Sequence, residues 1–491
     1  MPRPDRPRPR EAPAKKRAPT RRPGRTTHAA PTDPLPFRRH RRDRHGRPRR
    51  FSTPRAATSR APTSSKARPS ADSGPGIEVW IGHDAARVRG AEAVVRSSAI
   101  RDDNAELVAA RTAGLPIVAR GALLADVLRT RDAIAIAGSH GKTTTTAMAA
   151  HALECAGGIR TASWGGRVPR LGRRGPPGLG RGEPRRRRGR RESDGSFLLV
   201  RPIGVVVTNV DPEHLDHYGS REALLDAFVE FANAVPFWGA SILGVDHPGV
   251  REIAPRITAR KIGFGFAAEA DVRAESVLPV AGGQHVRVAL ASGDRFAFQL
   301  AQPGRHNVLN ALAAIAIGLE QGIAPAILAE AMASFPGVSR RFEARGEAGG
   351  VRVVDDYAHH PAEIRAALAG ARSIHPGPIT AIFQPHRYTR TRDCWDDFVH
   401  AFDDADRVVL ADVYPASERP IEGIDSRRLA AAIAAGGKVE AAYGGPLDAI
   451  EREWPARLRA GELVLTIGAG DVVSLGPKLL AALGAQTEAR A

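Results

Sequence analysis

A glycine-rich segment at residues 133–146, AIAIAGSHGKTTTT, carries the side chains best suited to phosphate chemistry. An apolar run ends at a glycine, a short turn follows, and a Gly-Lys-Thr triplet opens a helical stretch. Helix N-terminal amides attract anions, the lysine would reach the β- and γ-phosphates of a nucleotide, and the threonine hydroxyl would hold Mg²⁺. The alternative is a glycine-rich turn capped by threonine. We predict nucleotide binding by Gly138, Ser139, His140, Gly141, Lys142, Thr143 and Thr144.

A second group of acidic and imidazole side chains lies at residues 209–216, NVDPEHLD. It follows the apolar run 203–210, and α/β sheets bind ligands at the carboxyl ends of their strands. His214 could therefore bind a second metal ion together with carboxylates. The alternative is that Asp211 caps a helix and the histidine is merely exposed. The neighbouring nucleotide-binding segment favours the metal site.

Further polar clusters stand at the ends of predicted elements, at residues 305–310, 340–343, 355–361 and 384–390. The amides of the first cluster could recognise a purine edge or simply cap a helix. The second cluster lies between two predicted domains, where an arginine could contact a phosphate as the domains close. The last two could equally be solvated loops.

Short β-branched runs that alternate with helical stretches position these groups. The predicted strands are 133–138, 203–210, 240–245, 351–357, 379–385, 407–414 and 463–470. Nearly all of them lead into helices, which predicts α/β domains with parallel, doubly wound sheets. Residues 271–300 alternate around a Gly-Asp turn, so we expect an antiparallel hairpin added to the central domain. We place domain boundaries near residues 130 and 337.

The positive charge of the chain is confined to two segments. The net charge is +19, but residues 1–75 hold 22 Lys and Arg against 5 Asp and Glu, and residues 157–191 hold 12 Arg against 1 Glu. The other 381 residues therefore carry a net charge of −9. Both segments are rich in Arg, Pro and Gly and lack apolar periodicity, so we expect them to be disordered if they are made as written.

Composition excludes several classes of protein. The 491 residues and 42% hydrophobic content suit roughly three or four globular domains. Two cysteines, Cys155 and Cys394, exclude a disulfide framework and a cysteine-rich zinc site. No apolar run could span a bilayer, and no hydrophobic signal-peptide core follows the basic N-terminus. We therefore expect a cytoplasmic protein without membrane contact.

Together, the motifs resemble those of the Mur ligases. GSHGKTTTT, TNVDPEHLDHY, GRHNVLNALAA, SRRFE, DDYAHHPAEI, FQPHRYTRTRD, DVYPASERPI and GAGDV occur in the order that this family has. The resemblance covers residues 77–156 and 192–480, and FQPHRYTRTRD with DDYAHHP is highly specific. Folylpolyglutamate synthases share the short nucleotide loop but lack the C-terminal set.

The resemblance implies an enzyme with three domains. They are an N-terminal UDP-binding domain, a central P-loop domain that binds ATP, and a Rossmann-like C-terminal domain that closes over the site. In this sequence they correspond to residues 77–130, 131–336 and 337–491, preceded by the basic segment 1–76. The basic insert 157–191 interrupts the central domain.

The resemblance also implies an ATP-dependent, amide-forming reaction of peptidoglycan synthesis. In the branch of the family that the motifs match best, the carboxylate of UDP-N-acetylmuramate attacks the γ-phosphate and yields an acyl phosphate and ADP. The amine of L-alanine then displaces phosphate. ATP and Mg²⁺ would be the cofactors of a monomer or homodimer.

Residue roles follow from the resemblance position by position. Lys142 and a Mg²⁺ ion on Thr143 would neutralise the γ-phosphate, and His214 would hold a second Mg²⁺. Arg341 and Asp356 would contact ATP from the domain junction.

The remaining roles concern adenine and the two substrates. The adenine-binding residues would be His306, Asn307 and Asn310. Arginine suits carboxylate recognition, and the residues that receive the acyl substrate and amino acid would be Tyr357, His359, His386, Arg387 and Arg390. The catalytic set as a whole would be Lys142, His214, Arg341, His359, His386, Arg387 and Arg390.

The N-terminal region departs from the family pattern. A strand and a G-x-G-G-x-G-M loop, which hold the UDP diphosphate in the family, should precede residues 77–80, but residues 1–76 contain neither. We therefore expect an incomplete N-terminal domain that folds poorly and holds UDP weakly.

The basic insert replaces a strand that ends in E-A-D-E-S-D-G-S-F in the family. Its tail survives at residues 192–197, but Gly189 takes the position of the first Glu, a Mg²⁺ ligand, and Glu192 could substitute only if the loop shifted. We interpret both basic segments as out-of-frame translation. Reading GCG-GAC-GCC-GAC one base early, after a C, gives Arg-Gly-Arg-Arg, which matches residues 188–191. Resequencing tests this, and a frame that is continuous as printed would contradict it.

Two other functions stay open. One is the related ligase that attaches a recycled murein tripeptide to the same nucleotide sugar; ESDGSFLL and DDYAHH argue against it, since we expect a different acidic motif and Phe for Tyr there. The other is an inactive nucleotide-binding protein whose basic segments bind nucleic acid, which salt-sensitive binding would support. Neither segment interleaves aromatic residues with its arginines, which disfavours nucleic acid.

Overall fold

The structure, a computed structural model, describes the chain from Trp80 onwards with several gaps. The described residues are 80, 82–97, 100–129, 132–157, 195–212, 215–436 and 438–490. The segments expected to be disordered or out of frame, 1–76 and all of 157–191 but its first residue, lie outside them. All of the described residues belong to one compact unit.

The N-terminal part contains a small parallel sheet and two helices. Its elements are β1 (Val94–Arg96), α1 (Ala105–Thr112), β2 (Ile117–Ala119) and α2 (Arg120–Leu128). The buried core here is small and is built around Val88, Val94, Leu107 and Ala110. The incompleteness of this N-terminal domain stays a prediction.

The central part forms a seven-stranded sheet covered by helices. Its elements are β3 (Ile134–Ala137), α3 (Lys142–Cys155), β4 (Gly204–Val207), α4 (Leu215–Tyr218), α5 (Arg221–Asn233), β5 (Ala240–Gly244), α6 (Pro248–Ile253), β6 (Lys261–Gly265), β7 (Val272–Val280), β8 (Gly283–Leu290), β9 (Arg295–Leu300), α7 (Arg305–Glu320) and α8 (Pro325–Ala333). The strands follow one another in chain order across the sheet. β3 to β7 are parallel, and β7, β8 and β9 are antiparallel.

Helix α7 is the centre of the larger hydrophobic core in this part. Residues 310–318, rich in Ala and Ile, are all buried, as expected for a helix that is apolar on every side. Helix α3 packs against α7, with Ala147 and Met148 in the same core. Because α3 starts just after β3 ends, this packing fixes both sides of the nucleotide-binding segment.

The C-terminal part forms a second, six-stranded sheet. Its elements are β10 (Glu343–Ala348), β11 (Val351–Asp356), α9 (Pro361–Ile374), β12 (Ile379–Phe383), α10 (Tyr388–Asp393), α11 (Trp395–Val399), β13 (Arg407–Ala411), α12 (Ser426–Gly436), β14 (Glu440–Gly445), α13 (Leu447–Glu453), β15 (Leu463–Ile467) and α14 (Leu475–Arg490). The strand order is β10-β11-β15-β12-β13-β14, and all neighbours except β10 and β11 are parallel.

Helices cover both faces of this second sheet. Phe383 of β12 packs with Phe398 and Phe402 on one face, whereas Ile382, the preceding residue, packs with Trp454 on the other. Successive residues of a strand point to opposite faces, so an almost wholly apolar strand is buried on both. This is the parallel, doubly wound, Rossmann-like arrangement that the sequence predicts, and the fold class is confirmed.

The structure contains every predicted strand and, among the described residues, six that the patterns missed. The predicted hairpin is present as antiparallel β8 and β9. The missed strands are β1, β2, β6, β7, the polar edge strand β10 and the glycine-containing β14. Each of them pairs with a neighbouring strand, and β10 and β14 contain few residues of high β-propensity. The boundaries proposed near residues 130 and 337 fall between elements. Among the described residues, no helix is both long and apolar enough to cross a bilayer.

Candidate active site

The turn between β3 and α3 holds two glycines that other residues could not replace without distortion. Gly138 has a φ of 136°, and a Cβ there would lie 2.0 Å from Oγ1 of Thr208. Gly141 has a φ of 82°, and a Cβ there would lie 2.4 Å from Oδ1 of Asn310. Residues that have a side chain rarely adopt such φ values. The two glycines let the turn pass close to the neighbouring loop and helix.

Hydrogen bonds from the loop after β4 fix the backbone of this nucleotide turn, residues 138–144. The amide of His140 donates to Oδ1 of Asn209 at 2.7 Å, and the hydroxyl of Thr208 donates to the carbonyl of His140 at 2.7 Å. The hydroxyl of Ser139 accepts from the amide of Asp211 at 2.8 Å. The loop after β4 therefore holds the turn in a single shape.

The ammonium group of Lys142 lies against the turn that precedes it. Its Nζ donates to the carbonyls of Gly138 and Ser139, the second at 2.8 Å. Thr143 and Thr144 follow in the first turn of α3, where helix amides have no partner within the helix. A positive charge, hydroxyl groups and helix N-terminal amides are thus gathered at the carboxyl end of β3, and this combination suits a phosphate.

Asn307 and Asn310 lie buried behind the nucleotide turn. Oδ1 of Asn310 accepts from the hydroxyl of Thr145 at 3.1 Å, and its Nδ2 donates to Oδ1 of Asn307 at 3.3 Å. Nδ2 of Asn307 donates to the carbonyl of Pro303 at 2.8 Å. These bonds connect α7 to α3 directly behind the turn. Adenine binding by the side-chain amides of Asn307 and Asn310 stays a prediction.

Asp356, at the end of β11, hydrogen-bonds to the segment that connects the central and C-terminal parts. Its carboxylate accepts from the amide of Phe342 at 2.8 Å and from the amide of Ala358 at 2.7 Å. Burial raises the pKa of Asp356 to about 6, although the charge of Arg341 opposes this. The Arg341 guanidinium lies 5.2 Å from the centre of the Tyr357 ring. ATP contacts by Arg341 and Asp356 stay a prediction.

Loops after β11, β12 and β13 bring together an acceptor cluster of Tyr357, His359, His386, Arg390 and Tyr414. The ring centres of His359 and His386 are 6.0 Å apart, and the His386 ring stacks on Tyr414 at 5.4 Å. Nη1 of Arg390 lies 3.2 Å from Nδ1 of His386, and Tyr357 meets His359 edge-on at 5.2 Å. Four of the five residues predicted to receive the substrates therefore lie side by side.

The imidazoles of this region are held in their neutral form. Burial lowers the pKa of His359 and that of His360 to about 4. Burial and the charge of Arg341 lower the pKa of His306 to about 4 as well. The pKa of His386 falls to about 3, through burial and then the charge of Arg390. Near neutral pH these imidazoles therefore carry no positive charge, and one ring nitrogen of each can accept a hydrogen bond.

Arg387, the fifth predicted substrate residue, stands at the edge of this cluster. Its φ of 76° lies in the left-handed region, which is strained for a residue with a side chain, and such strain gathers at functional sites. Its amide donates to the carbonyl of Tyr414 at 2.8 Å. Its guanidinium is half exposed and lies 3.9 Å from a carboxylate oxygen of Glu418.

Two carboxylates link the nucleotide turn to its surroundings through His140. Oδ2 of Asp211 lies 3.3 Å from Nε2 of His140, and Oδ1 of Asp211 lies 3.3 Å from Nε2 of His247. Oε1 of Glu363 lies 3.4 Å from Nδ1 of His140. The other oxygen of Glu363 lies 3.1 Å from Nδ1 of His359. The central and C-terminal parts therefore meet along an unbroken row of imidazoles and carboxylates.

Both carboxylates of this row are ionised. The two neighbouring imidazoles hold the pKa of Asp211 well below its usual range. Burial acts to raise the pKa of Glu363, but His359, His140 and Arg341 outweigh it and hold that pKa well below its usual range. Nη1 of Arg341 lies 3.7 Å from Oε1 of Glu363.

The predicted metal ligands do not form a group within the described residues. Glu192 and His214 lie outside them, and only Thr143, in the first turn of α3, is described. Nor do the described residues hold any group of three or more His, Cys, Asp or Glu suited to a metal ion. Magnesium binding by Thr143, Glu192 and His214 therefore stays a prediction.

Comparison with known proteins assigns the chain to a family. Three family models match it in order: the Mur ligase catalytic domain at residues 72–132, the Mur ligase middle domain at 187–318 and the Mur ligase glutamate ligase domain at 340–470. A UDP-N-acetylmuramate--L-alanine ligase of Anaeromyxobacter dehalogenans is 47% identical over 413 residues, which are 84% of this chain and 89% of that protein. The chain belongs to the Mur ligase family.

Solved structures of other Mur ligases share the fold of this one. The UDP-N-acetylmuramate-alanine ligase of Thermotoga maritima matches with a TM-score of 0.69 at 28% identity, over 84% of this chain and 89% of that chain. A murein peptide ligase of Psychrobacter arcticus matches with a TM-score of 0.58 at 22% identity, over 83% and 89%, and shows the fold alone. The resemblance inferred from the motifs is confirmed.

Sequence reasoning missed several side chains that shape the site of this Mur ligase. Glu363 stands four residues after His359 in DDYAHHPAEI, a spacing that brings two side chains together at a helix start, and this could have identified it. Thr208 directly precedes the predicted metal cluster and Asn209 is its first residue, but nothing in the sequence shows that they bond to the turn. His247 had no local sign, because its contact with Asp211 depends on the packing of α6 against the sheet.

Proposed function

We propose that this Mur ligase joins L-alanine to the carboxylate of UDP-N-acetylmuramate while ATP is converted to ADP and phosphate. The reaction would be a cytoplasmic step of peptidoglycan synthesis, carried out by a monomer or homodimer. One observation carries the proposal: the nucleotide turn and the acceptor cluster contact the same carboxylate, with Glu363 3.4 Å from His140 and 3.1 Å from His359. A ligase that transfers a phosphoryl group and then forms an amide needs both sets within reach of one substrate. The printed activity of the relative with 47% identity supports L-alanine as the amine.

The first step is phosphoryl transfer to the sugar nucleotide. A carboxylate oxygen of UDP-N-acetylmuramate attacks the γ-phosphorus, the bond to the oxygen bridging the β-phosphorus breaks, and ADP leaves. Lys142 and the first amides of α3 supply positive charge where the transferring group is negative. Residues 138–144 would surround the phosphates. Three residues, His306, Asn307 and Asn310, are assigned to adenine.

Arg341 and Asp356 are assigned to ATP contacts at the junction of the central and C-terminal parts. The guanidinium of Arg341 lies close to Glu363 and Tyr357, so it stands between the nucleotide turn and the acceptor cluster. Asp356 holds the junction segment through two backbone amides. This placement suits an arginine that approaches a phosphate as the two parts close.

The donor chemistry near the turn fits Mg²⁺, the ion that nucleotide-dependent ligases use. The hydroxyl of Thr143 is a hard oxygen donor beside Lys142, and Mg²⁺ prefers such oxygen ligands together with phosphates. Bound there, the ion would supply charge neutralisation at the β- and γ-phosphates. We assign Thr143 and Glu192 to a first ion and His214 to a second one.

The second step forms the amide in the acceptor cluster. The amine nitrogen of L-alanine attacks the acyl carbon, the bond to phosphate breaks, and the nitrogen must lose a proton. His359 and His386 are neutral, so each can accept a hydrogen bond that orients the amine, and the released phosphate can carry the proton away. The guanidinium groups of Arg387 and Arg390 suit carboxylate recognition, and Tyr357 lines the same space.

The small N-terminal part should limit the affinity for UDP-N-acetylmuramate rather than the chemistry. Only β1 and β2 form its sheet among the described residues, and its buried core is small. We therefore expect a high KM for the sugar nucleotide but an intact requirement for both substrates.

The test is ADP formation by the full chain with ATP and Mg²⁺. It is measured with UDP-N-acetylmuramate plus L-alanine, with each substrate alone, and with the murein tripeptide in place of L-alanine. We expect ADP formation only when UDP-N-acetylmuramate and L-alanine are both present. ADP formation that requires the tripeptide instead, or no ADP formation with any combination at saturating sugar nucleotide, would overturn the proposal.

A further inference from the structure

Glu363 contacts one residue from each of three parts of the site: the nucleotide turn, the junction segment and the acceptor cluster. Its side chain is only 12% exposed, and its Oε1 lies 3.4 Å from the ring of His140 in the nucleotide turn. The same oxygen lies 3.7 Å from Arg341 in the junction segment. Its Oε2 lies 3.1 Å from the ring of His359 in the acceptor cluster.

The backbone of His140 is held in place, and its ring faces Glu363. Its amide and carbonyl are both held by the loop after β4, through Asn209 and Thr208. Its two ring nitrogens face two carboxylates, one from each part of the molecule. Each ring nitrogen of His140 therefore lies within ion-pair distance of a carboxylate oxygen, 3.3 Å from Asp211 and 3.4 Å from Glu363.

We propose that Glu363 is a positioning residue that aligns the nucleotide turn with the acceptor histidine. One carboxylate oxygen holds the ring of His140, and the other holds the ring of His359. Asp211, itself paired with His247, steadies His140 from the opposite side. This role rests on the proposed ligase function, because it aligns the phosphoryl-transfer half of that reaction with the amide-forming half.

A purely structural role for Glu363 is the competing explanation. Glu363 is the third residue of α9, and its carboxylate accepts from the amide of His359 at 3.1 Å, as in a helix capping box. A glutamine there would keep the size and an acceptor oxygen for that amide, but it would lose the charge that holds His140. Glu363→Gln therefore separates the two explanations.

The kinetic test compares Glu363→Gln with wild type and with Glu222→Gln. Glu222 is an exposed acidic residue in the first turn of α5, and it serves as the matched control. For Glu363→Gln we expect kcat to fall about tenfold or more, because charge-assisted hydrogen bonds are strong, while the ATP dissociation constant changes less than about threefold. Glu222→Gln should match wild type. A wild-type kcat in Glu363→Gln, or a loss of kcat matched by a loss of folded protein, would overturn the proposal.

A double-mutant cycle with His140→Gln tests the contact itself. If Glu363 acts through His140, the double variant should lose little more kcat than either single variant, because each single change already breaks the pair. Effects that multiply would show that the two residues act independently and would overturn the proposal.

Small-angle X-ray scattering gives a readout that needs no catalysis. With ADP and Mg²⁺ bound, Glu363→Gln should have a larger radius of gyration than Glu222→Gln, because the central and C-terminal parts lose a contact. Equal radii would overturn the proposal. If wild type formed no ADP in any assay, the ligase function would fail while this measurement could still succeed, so the two failures are distinguishable.

Discussion

The nucleotide turn and the acceptor cluster are built in opposite ways. The turn is one contiguous stretch whose backbone is fixed by glycine φ values and by bonds to a single neighbouring loop. The acceptor cluster is assembled from three loops, and its side chains contact one another through rings and a guanidinium. The turn presents positive charge and amides, whereas the cluster presents neutral imidazoles beside arginine.

This difference separates two kinds of chemistry. Phosphoryl transfer needs fixed charge at a fixed place, which a rigid backbone turn supplies. Amide formation needs groups that accept a proton and bind a carboxylate, and these must come together when the substrate is in place. The two regions should therefore fail separately when each is altered, and the following experiments test that separation.

The largest effect should follow from Lys142→Met, which removes the charge of the nucleotide turn. We expect kcat/KM for ATP to fall about 10²- to 10³-fold, because positive charge at the transferring phosphoryl group is lost. The KM for L-alanine should change little, since the acceptor cluster is untouched. Steady-state kinetics on both substrates measure this, with Lys478→Met, an exposed lysine of α14, as the control. A large change in the KM for L-alanine would contradict the proposal that the nucleotide turn and the acceptor cluster act separately.

An intermediate effect should follow from Arg390→Ala, which alters the acceptor cluster alone. Loss of a charge-assisted contact to a carboxylate should lower kcat/KM for L-alanine about tenfold to a hundredfold. The ATP dissociation constant should stay within about twofold of wild type, because the hydrogen bonds of Arg390 go to His386 of the acceptor cluster rather than to the turn. Arg392→Ala, which removes an exposed arginine of the same helix, should behave as wild type. If Arg390→Ala and Arg392→Ala changed kcat/KM for L-alanine equally, a role of Arg390 in the acceptor site would be contradicted.

The smallest effect should be a change in acid stability. The pKa of His386 is about 3 in the folded protein against 6.5 normally, so between these values the unfolded chain binds more protons and stability falls as the pH falls. Asp356, with its pKa raised to about 6, acts in the opposite sense, but His306, His359 and His360 add to the effect of His386.

His386→Asn should therefore reduce the dependence of the melting temperature on pH. We expect the drop in Tm between pH 7 and pH 4.5 to be smaller than in wild type by about 2 °C or more. His285→Asn, in β8 of the central part, should leave the drop unchanged. An identical drop in His386→Asn and wild type would mean that this imidazole is not kept neutral by its surroundings.

The sequence predicts the turn better than it predicts the acceptor cluster, for a physical reason. Gly138, Gly141 and Lys142 act through the local backbone, so their spacing alone indicates a phosphate-binding turn. Tyr357 and His386 come together only because β11 and β12 flank β15 in the sheet, and that order is not visible in either motif. Their association could be predicted only from the resemblance to the Mur ligases.

The strands and side-chain contacts that the sequence patterns do not predict depend on tertiary structure. Strand β14 contains Gly and Ala, which have low β-propensity, and it forms because β13 pairs with it. The row from His247 to Glu363 joins residues that are far apart in the chain, so no local period reveals it. The fold class follows from alternating strand and helix patterns, because these reflect burial along each element.

The most direct test of the central claim follows an oxygen atom from the sugar nucleotide to phosphate. UDP-N-acetylmuramate labelled with oxygen-18 in its carboxylate is turned over with ATP, Mg²⁺ and L-alanine, and the released phosphate is analysed by mass spectrometry. Attack of the carboxylate on the γ-phosphate, followed by displacement by the amine, must leave one labelled oxygen in each phosphate. Unlabelled phosphate formed together with the amide product would contradict the account.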